Sequence, residues 1–240
     1  MSFYLEPVAG ELRSDFLPGQ YLTVRVPGPN DQPTLRNYSL SGRPGRPYYR
    51  ISVKREPAPR PGVPAGHVSN LLHDTIAVGD LIDVGAPCGE FVLDRGNGST
   101  RPLVLLSGGV GITPLMSMLH ATVDGQSERD VYFIHCAING WTHAFADEVR
   151  ELAHRSPRLS IHVRYSEPRL ADRAAGRYDS EGFIDLTLLK QLLPNPDADY
   201  YFCGPRPFMV EVFRLLRGLS VPVDRIRFEF FGPRGELENV

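Results

Sequence analysis

Ser107-Gly-Gly-Val-Gly-Ile-Thr-Pro114 follows directly on the apolar run Leu103-Val-Leu-Leu106 and leads into Leu115-Met-Ser-Met-Leu119. That order reads as strand, glycine-rich loop and helix. Glycines without a Cβ let a backbone approach an anion closely, and Thr113 as a helix cap with Pro114 in the first turn would leave amides pointed at it. The chemistry expected of Gly109, Val110, Gly111, Ile112, Thr113 and Pro114 is therefore a pyrophosphate cradle. A tight turn with a capped helix explains the same residues, and the G-x-G-x-x-G spacing of the common dinucleotide fingerprint is absent.

Three further segments carry chemistry-bearing side chains at close spacing. Tyr200-Tyr-Phe-Cys-Gly-Pro205 is an apolar strand stopped by glycine and proline, which puts the Cys203 thiol at a strand's carboxyl end, where open α/β sheets bind ligands; a small buried hydrophobe is the alternative for such a cysteine. Arg36-Asn-Tyr-Ser-Leu-Ser41 combines a guanidinium fork for phosphate oxygens, an aromatic face for a planar ring and hydroxyls for ring nitrogens. Extended geometry sets Arg36, Tyr38 and Leu40 on one face and Ser39 and Ser41 on the other, and an ordinary exposed strand is the alternative. In Gly66-His-Val-Ser-Asn70, Ser69 or Asn70 can cap a short helix, which serves a phosphate or nothing beyond capping.

The elements that would position these groups fall into two textures. As far as residue 99, β-branched and aromatic runs (Tyr21 to Val26, Tyr48 to Val53, Leu81 to Val84) alternate with Pro and Gly turns, the pattern of an antiparallel β-barrel. Beyond the turn-rich Arg95 to Thr100, apolar runs at Leu103 to Leu106, Val131 to His135, Leu159 to Val163, Tyr200 to Cys203 and Ile226 to Phe230 read as buried parallel strands. Helical periodicity separates them at Thr113 to Ala121, His143 to His154, Leu186 to Leu193 and Pro205 to Arg217. The expected architecture is a β-barrel domain over 1–99, then a doubly wound α/β domain with a parallel sheet over 100–240.

Composition removes other classes. The net charge is -2 and the cations are dispersed, so there is no basic stripe for a nucleic acid. No apolar run approaches membrane-spanning length and the N-terminus lacks a signal-peptide pattern, so a cytoplasmic location is expected, with no membrane partner. Cys88, Cys136 and Cys203 are far apart and no Cys/His cluster has metal-ligand spacing, so no metal, iron-sulfur cluster or disulfide framework is expected. No Ser/His/Asp or paired-carboxylate arrangement stands out, and the seven histidines are read as surface or structural residues.

Together the segments resemble the ferredoxin-NADP reductase superfamily, and most closely the reductase portion of flavohemoglobins. The resemblance is carried, in order, by Phe16-Leu-Pro-Gly-Gln-Tyr21, Arg36 to Ser41, Val68-Ser-Asn70, Ala86-Pro-Cys-Gly-Glu-Phe91, Gly109 to Pro114, Asn139-Gly140, His143 to Val149, Asp179-Ser-Glu-Gly182, Cys203-Gly-Pro205 and Phe228-Glu-Phe-Phe-Gly-Pro233. It implies that Tyr21, Arg36, Asn37, Tyr38 and Ser39 hold FAD, with Ser69 and Asn70 at its phosphates, and that Phe230, Phe231, Gly232 and Pro233 close over the flavin. Gly109 to Pro114 would take the phosphates of NADH or NADPH, and Cys203, Gly204 and Pro205 would border the nicotinamide. Ser39, Cys203 and Glu229 would lie at the reacting rings, Glu229 near the electron exit.

The implied function is an FAD-dependent NAD(P)H oxidoreductase that passes electrons to a haem or iron-sulfur protein. A non-catalytic partner-binding or redox-sensing module is the alternative from another class, and a free flavin reductase is a third. Two departures bear on this choice. Flavohemoglobins have a globin ahead of this portion, and relatives have a barrel strand before the one at which this chain starts, so either the barrel is incomplete, with weaker FAD retention, or the chain is an excised or truncated piece. Asn139, Gly140 and Trp141, after the second strand of the α/β half, include no arginine, which tilts the expectation to NADH; Arg164 and Ser166 remain candidates for a 2′-phosphate.

Overall fold

The computed structural model describes residues 1–10, 15–28, 32–58, 60–94, 99–193 and 195–231. They fall into two compact units, Met1–Leu93 and Asp94–Val240.

The described strands of the first unit pair antiparallel. Strand β1 (Ser2–Leu5) lies on β4 (Tyr49–Ser52), and β2 (Tyr21–Val26) lies between β3 (Thr34–Ser39) and β5 (Asp83–Val84). A bridge between Leu40 and Ile51 links the two sheets. Alternation along β2 buries Leu22, Val24 and Val26 and turns Tyr21, Thr23 and Arg25 the other way. Those three apolar residues form a core with Phe3, Phe16, Leu40, Ile51, Val68 and Leu72, the last two from α1 (His67–Thr75). The strand expected over Leu81 to Val84 is only two residues long. The turn that precedes it is closed by the Asp80 carboxylate, which accepts the Ala77 N–H at 2.8 Å, so pairing begins late and Leu81 stays exposed.

In the second unit six parallel strands run in the order β11-β10-β6-β7-β8-β9, where β6 is Leu103–Gly108, β7 Val131–Ala137, β8 Leu159–Tyr165, β9 Ser180–Glu181, β10 Asp199–Gly204 and β11 Ile226–Phe230. All six residues of β6 are buried, as a central strand covered on both faces must be. On one face Val104, Leu106, Tyr200 and Phe202 pack with Leu188 and Leu189 of α5 (Leu186–Leu192) and with Met209, Val212 and Leu216 of α6 (Arg206–Gly218). Helices α2 (Ile112–Asp124) and α3 (Ala146–Arg155) complete the α/β alternation, α2 against β6 and β10 and α3 against β8.

Several boundaries differ from the sequence expectation, each for a local reason. Thr113 does not cap α2: the helix already starts at Ile112, and the Thr113 hydroxyl donates back to the Val110 carbonyl at 3.0 Å. Neither Ser69 nor Asn70 caps α1, which starts after Gly66; both side chains donate to the Gly66 carbonyl, at 3.2 and 2.7 Å. Helix α3 begins at Ala146 rather than His143, because Phe145 is left-handed at φ 62° and a helix cannot run through it. The short α4 (Leu170–Ala174) and β9 were not expected, since five and two residues are too few to show a period.

The loop between β6 and α2 gives two glycines different reasons to be glycine. A Cβ on Gly111 would overlap the backbone carbonyl of Cys203, whereas Gly109, at φ +53°, has no atom within 4 Å of its missing Cβ. Gly111→Ala must displace backbone and is expected to cost about 2 kcal/mol or more, while Gly109→Ala carries only the left-handed penalty of about 1 kcal/mol. Urea unfolding of the two variants checks this, and equal losses would refute the packing argument.

Candidate functional site

The chain crosses from β9 back to β10, which lies beside β6, so the strand order reverses between β6 and β10. In open α/β sheets that reversal makes a crevice at the carboxyl ends of the strands. Here its floor is backbone. Beyond the Gly111 contact, a Cβ on Gly204 would lie 2.5 Å from the Phe208 ring and one on Gly108 2.8 Å from it, so the phenyl of α6 fills the space under both strand ends. The three-residue 3₁₀ turn Gly109–Gly111 then feeds α2, whose first turn has no acidic residue and no side-chain cap. No side chain of that first turn therefore caps its amides or repels an anion, and this fits a pyrophosphate held by main-chain amides.

Buried polar atoms without a partner gather at the same edge. Among the described residues of this unit they are His135 Nε2 near the end of β7, His143 Nε2 in the following loop, Arg164 Nε near the end of β8, Glu229 Oε2 near the end of β11, and His120 Nδ1 within α2. All but the last lie at the carboxyl ends of strands or, for His143, in the loop that follows β7. Native interiors leave few such atoms, so a concentration at one edge marks where a polar ligand or solvent belongs. Burial pushes the Glu229 carboxyl up to about 7 and the Cys203 thiol well above its usual value, with the Glu229 charge adding to the latter. The two are register partners across β10 and β11. Burial thus favours the neutral thiol of Cys203 over a thiolate nucleophile.

His135 and His143 are inward-facing histidines, each held by one hydroxyl and each with a second ring nitrogen left unpartnered. Their rings are 4.7 Å apart; the Ser107 hydroxyl meets His135 Nδ1 at 2.7 Å, and the Tyr165 hydroxyl meets His143 Nδ1 at 2.8 Å. Burial and mutual repulsion hold His135 well below its ordinary value, and burial holds His143 at about 4, so both are neutral near pH 7. The place of His135 in the alternation Val131, Phe133, His135 was the available signal that this histidine faces inward.

In the first unit, β2 and β3 pair Tyr21 with Ser39 and Thr23 with Asn37. The Tyr21 ring rests on Gly89, where a Cβ would lie 2.9 Å from it, and Tyr21 exchanges both backbone hydrogen bonds with Cys88. Asn37 is exposed and accepts from the Thr23 hydroxyl at 2.9 Å. Arg36 is exposed, and its guanidinium donates to the neighbouring Leu35 carbonyl at 2.7 Å. Tyr38 is half-buried against the core, which raises its hydroxyl pKa. Ser39 is buried, and its Oγ has no hydrogen-bond partner. A cation at the surface, an aromatic ring and a buried hydroxyl with an unused hydrogen-bonding capacity therefore follow one another along a single strand. That set fits a flavin with its pyrophosphate. The Ser69 hydroxyl accepts the Glu56 N–H at 3.3 Å and the Asn70 amide donates to the Glu56 carbonyl at 2.8 Å, so both side chains pin the segment before α1. Phe230 is half-buried at the end of β11 and Phe231 is exposed just after it. Gly232 and Pro233 lie outside the described residues.

Comparison with known proteins agrees with both halves of the site. Residues 2–93 match the oxidoreductase FAD-binding domain family and residues 105–214 the oxidoreductase NAD-binding domain family. A flavohemoprotein of Rhodopirellula baltica is 45% identical over 236 residues, which cover 98% of this chain and 58% of that protein. One from Bacillus subtilis is 44% identical over 237 residues, 98% of this chain and 56% of that protein, so the chain spans less than two thirds of these curated relatives. The solved FAD/NAD-binding domain of nitric oxide dioxygenase from Vibrio cholerae superposes with a TM-score of 0.84 at 35% identity, covering 97% of this chain and 92% of that one. The chain accordingly belongs to the FAD- and NAD-binding oxidoreductase domains of the ferredoxin-NADP reductase superfamily, the family that includes the reductase portion of flavohemoglobins.

Proposed function

We propose that this oxidoreductase takes hydride from NADH and passes the electrons through FAD to a haem protein in the cytoplasm. The observation that carries the reading is the pair of cradles just described: the buried, unpartnered Ser39 hydroxyl beside Tyr38 and Arg36 in one unit, and the glycine-backbone crevice of Gly108, Gly111 and Gly204 in the other. The haem acceptor is supported by the names of the relatives, flavohemoproteins; an iron-sulfur protein is the other acceptor class that the sequence suggests.

FAD, when bound, supplies the step from a two-electron hydride donor to an electron acceptor. The chain's residues bind and orient. Arg36 offers its fork to the pyrophosphate, the Tyr38 and Tyr21 rings offer faces to the flat ring system, Asn37 adds an exposed amide, and the Ser39 hydroxyl bonds a ring nitrogen. Gly109 to Pro114 take the dinucleotide phosphates on main-chain amides. Cys203 and Gly204, both buried, and the exposed Pro205 border the nicotinamide. Glu229 holds a proton at its buried carboxyl near neutral pH. No general base is needed, because hydride transfer depends on alignment of two rings.

NADH rather than NADPH is supported by the cations near the ends of β7 and β8. Arg164 lies within β8 and donates to Ser180 at 3.1 Å and to Asp185 at 3.0 Å, and Arg169 is held by Asp172 at 2.9 Å. Both are already neutralised by carboxylates, which leaves little for a 2′-phosphate.

An anaerobic absorbance spectrum tests the reading. Flavin bands should bleach on NADH, and NADH should be favoured over NADPH by about tenfold or more in kcat/KM. A colourless protein that cannot be reconstituted would return the non-catalytic module, and FAD lost on gel filtration yet turned over as an added substrate would return the free flavin reductase. Ser39→Ala should weaken FAD binding by roughly 3- to 10-fold, the worth of one hydrogen bond, without lowering the stability of the flavin-free protein, since it removes a buried unpartnered hydroxyl. A loss of stability with unchanged FAD affinity would assign Ser39 to the fold instead.

Glu229 gives a pH signature. Its folded-state value of about 7 lies above the ordinary 4.5, so between those limits the folded chain keeps a proton that the unfolded chain has lost. Stability should therefore fall as pH rises from 5 to 8, by about 2 kcal/mol after allowance for partial solvent access. Glu229→Gln should remove most of that slope and be the more stable chain at pH 8. Parallel urea curves for the two chains at both pH values would rule this out.

A further inference from the structure

The loop after β7 carries the chain's single tryptophan, Trp141, whose side chain is 85% exposed yet held in place. The Arg169 guanidinium lies over the indole, 4.0 Å from the ring centroid. Arg169 is itself fixed by the Asp172 carboxylate, to which it donates through Nε at 3.1 Å and a terminal nitrogen at 2.9 Å. Asp172 is only 2% exposed and also accepts the backbone N–H groups of Arg169 at 2.9 Å and Gly140 at 3.3 Å. A Cβ on Gly140 would overlap that carboxylate, so the loop closes on Asp172 only because residue 140 is glycine. On the loop's other side, Asn139 Oδ1 accepts the Trp141 N–H at 3.1 Å.

An exposed indole needs none of this if it only faces solvent. A buried carboxylate, a bidentate arginine and a close glycine approach fix the plane of the ring, back one face of it with a cation and leave the other face open. A rigid, cation-backed aromatic face is suited to stacking on another flat heteroaromatic ring. Position narrows the choice of ring. Strand β7 lies beside β6, whose loop forms the phosphate cradle, and in dinucleotide-binding sheets the end of the next strand receives the adenosine half. The platform is close to electrically neutral, since Asp172 balances Arg169, which suits a neutral base better than a further phosphate.

We propose that Trp141, backed by Arg169, is the platform on which the adenine ring of the nicotinamide dinucleotide stacks. The proposal rests on the reading of the Gly109–Pro114 loop as the dinucleotide phosphate cradle. It also gives the loop Asn139-Gly140-Trp141 a positive role in recognition, where the sequence alone pointed only to a missing arginine.

Because Trp141 is the chain's one tryptophan, its fluorescence reports on this site without turnover. In the full chain, AMP should quench the emission saturably, whereas ribose 5-phosphate, which lacks the base, should not. Trp141→Ala should weaken AMP binding by about 10-fold and raise the KM for NADH with little change in kcat, and Trp141→Phe should restore most of both, since base stacking tolerates a change of ring. AMP binding, read by calorimetry, that leaves the emission unchanged and is equal in the wild type and Trp141→Ala would overturn the platform. Emission that responds to a haem protein but not to AMP would overturn it as well and assign the indole to acceptor docking. Bleaching of the flavin by NADH is scored separately: its success alongside a failed AMP titration rejects only the platform, while its failure rejects the reductase reading itself.

Discussion

The second unit is organised around a close approach of two backbones. Where β6 ends and β10 lies beside it, Gly111 sits on the Cys203 carbonyl with no room for a Cβ, and Gly108 and Gly204 both lean on the Phe208 ring. Parallel neighbours are only about 4.8 Å apart, so a loop that folds back over the adjacent strand end has to be almost bare. That bareness sets where α2 can start and hence where its unused amides point. It also makes the crevice rigid: glycine is elsewhere a source of freedom, but here the phenyl ring fills the space the two glycines leave. A loop held in this way has little ordering entropy left to lose when an anion arrives.

The two ends of the same sheet treat polar groups differently. At the amino end Asp199, just where β10 begins, receives Arg129 at 2.5 Å and Arg101 at 3.5 Å, and Arg129 also donates to the carbonyls of Arg101 and Pro102. The donors and acceptors there meet one another and tie β6 and β10 together before either strand is under way. A buried pair of this sort adds little net stability, although removing one partner is costly. At the carboxyl end His135, His143, Arg164 and Glu229 each keep a buried atom without a partner. Such atoms cost the unliganded protein free energy, and a ligand or ordered water that supplies the missing bond recovers it. The sheet is thus sealed at one end and left incomplete at the other, and the incomplete end is the one that carries the glycine loop.

How much of this was legible in the sequence depended on how local its cause was. The five long parallel strands were recognisable because burial on both faces demands continuous apolar runs, and Ile226–Phe230 appears with the expected limits. The glycine loop was recognisable as a tight turn between strand and helix, but the reason for Gly111 was not, since it lies in Cys203, 92 positions further on. Thr113, Ser69 and Asn70 looked like caps because their side chains can cap. Each instead donates to a carbonyl three or four residues back, a choice settled by where the preceding glycine lets the helix begin. Phe145 gave no warning that it would adopt a left-handed backbone and delay α3, and α4 and β9 are too short for any pattern.

The same distinction separates the two cofactor sites. In the first unit the candidate side chains are consecutive on one strand, so Arg36 to Ser39 could be proposed from the sequence directly. In the second unit the groups that matter are brought together by topology. Trp141 is placed by Asp172 through Gly140 and Arg169, and Cys203 has Glu229 as its register neighbour only because β10 and β11 are adjacent. A parallel sheet gathers its site from loops far apart in the chain, each held by a contact that no local pattern records. Motif reading therefore finds the glycine loop proposed as the phosphate cradle, which is local, and passes over the proposed Trp141 platform, which is not.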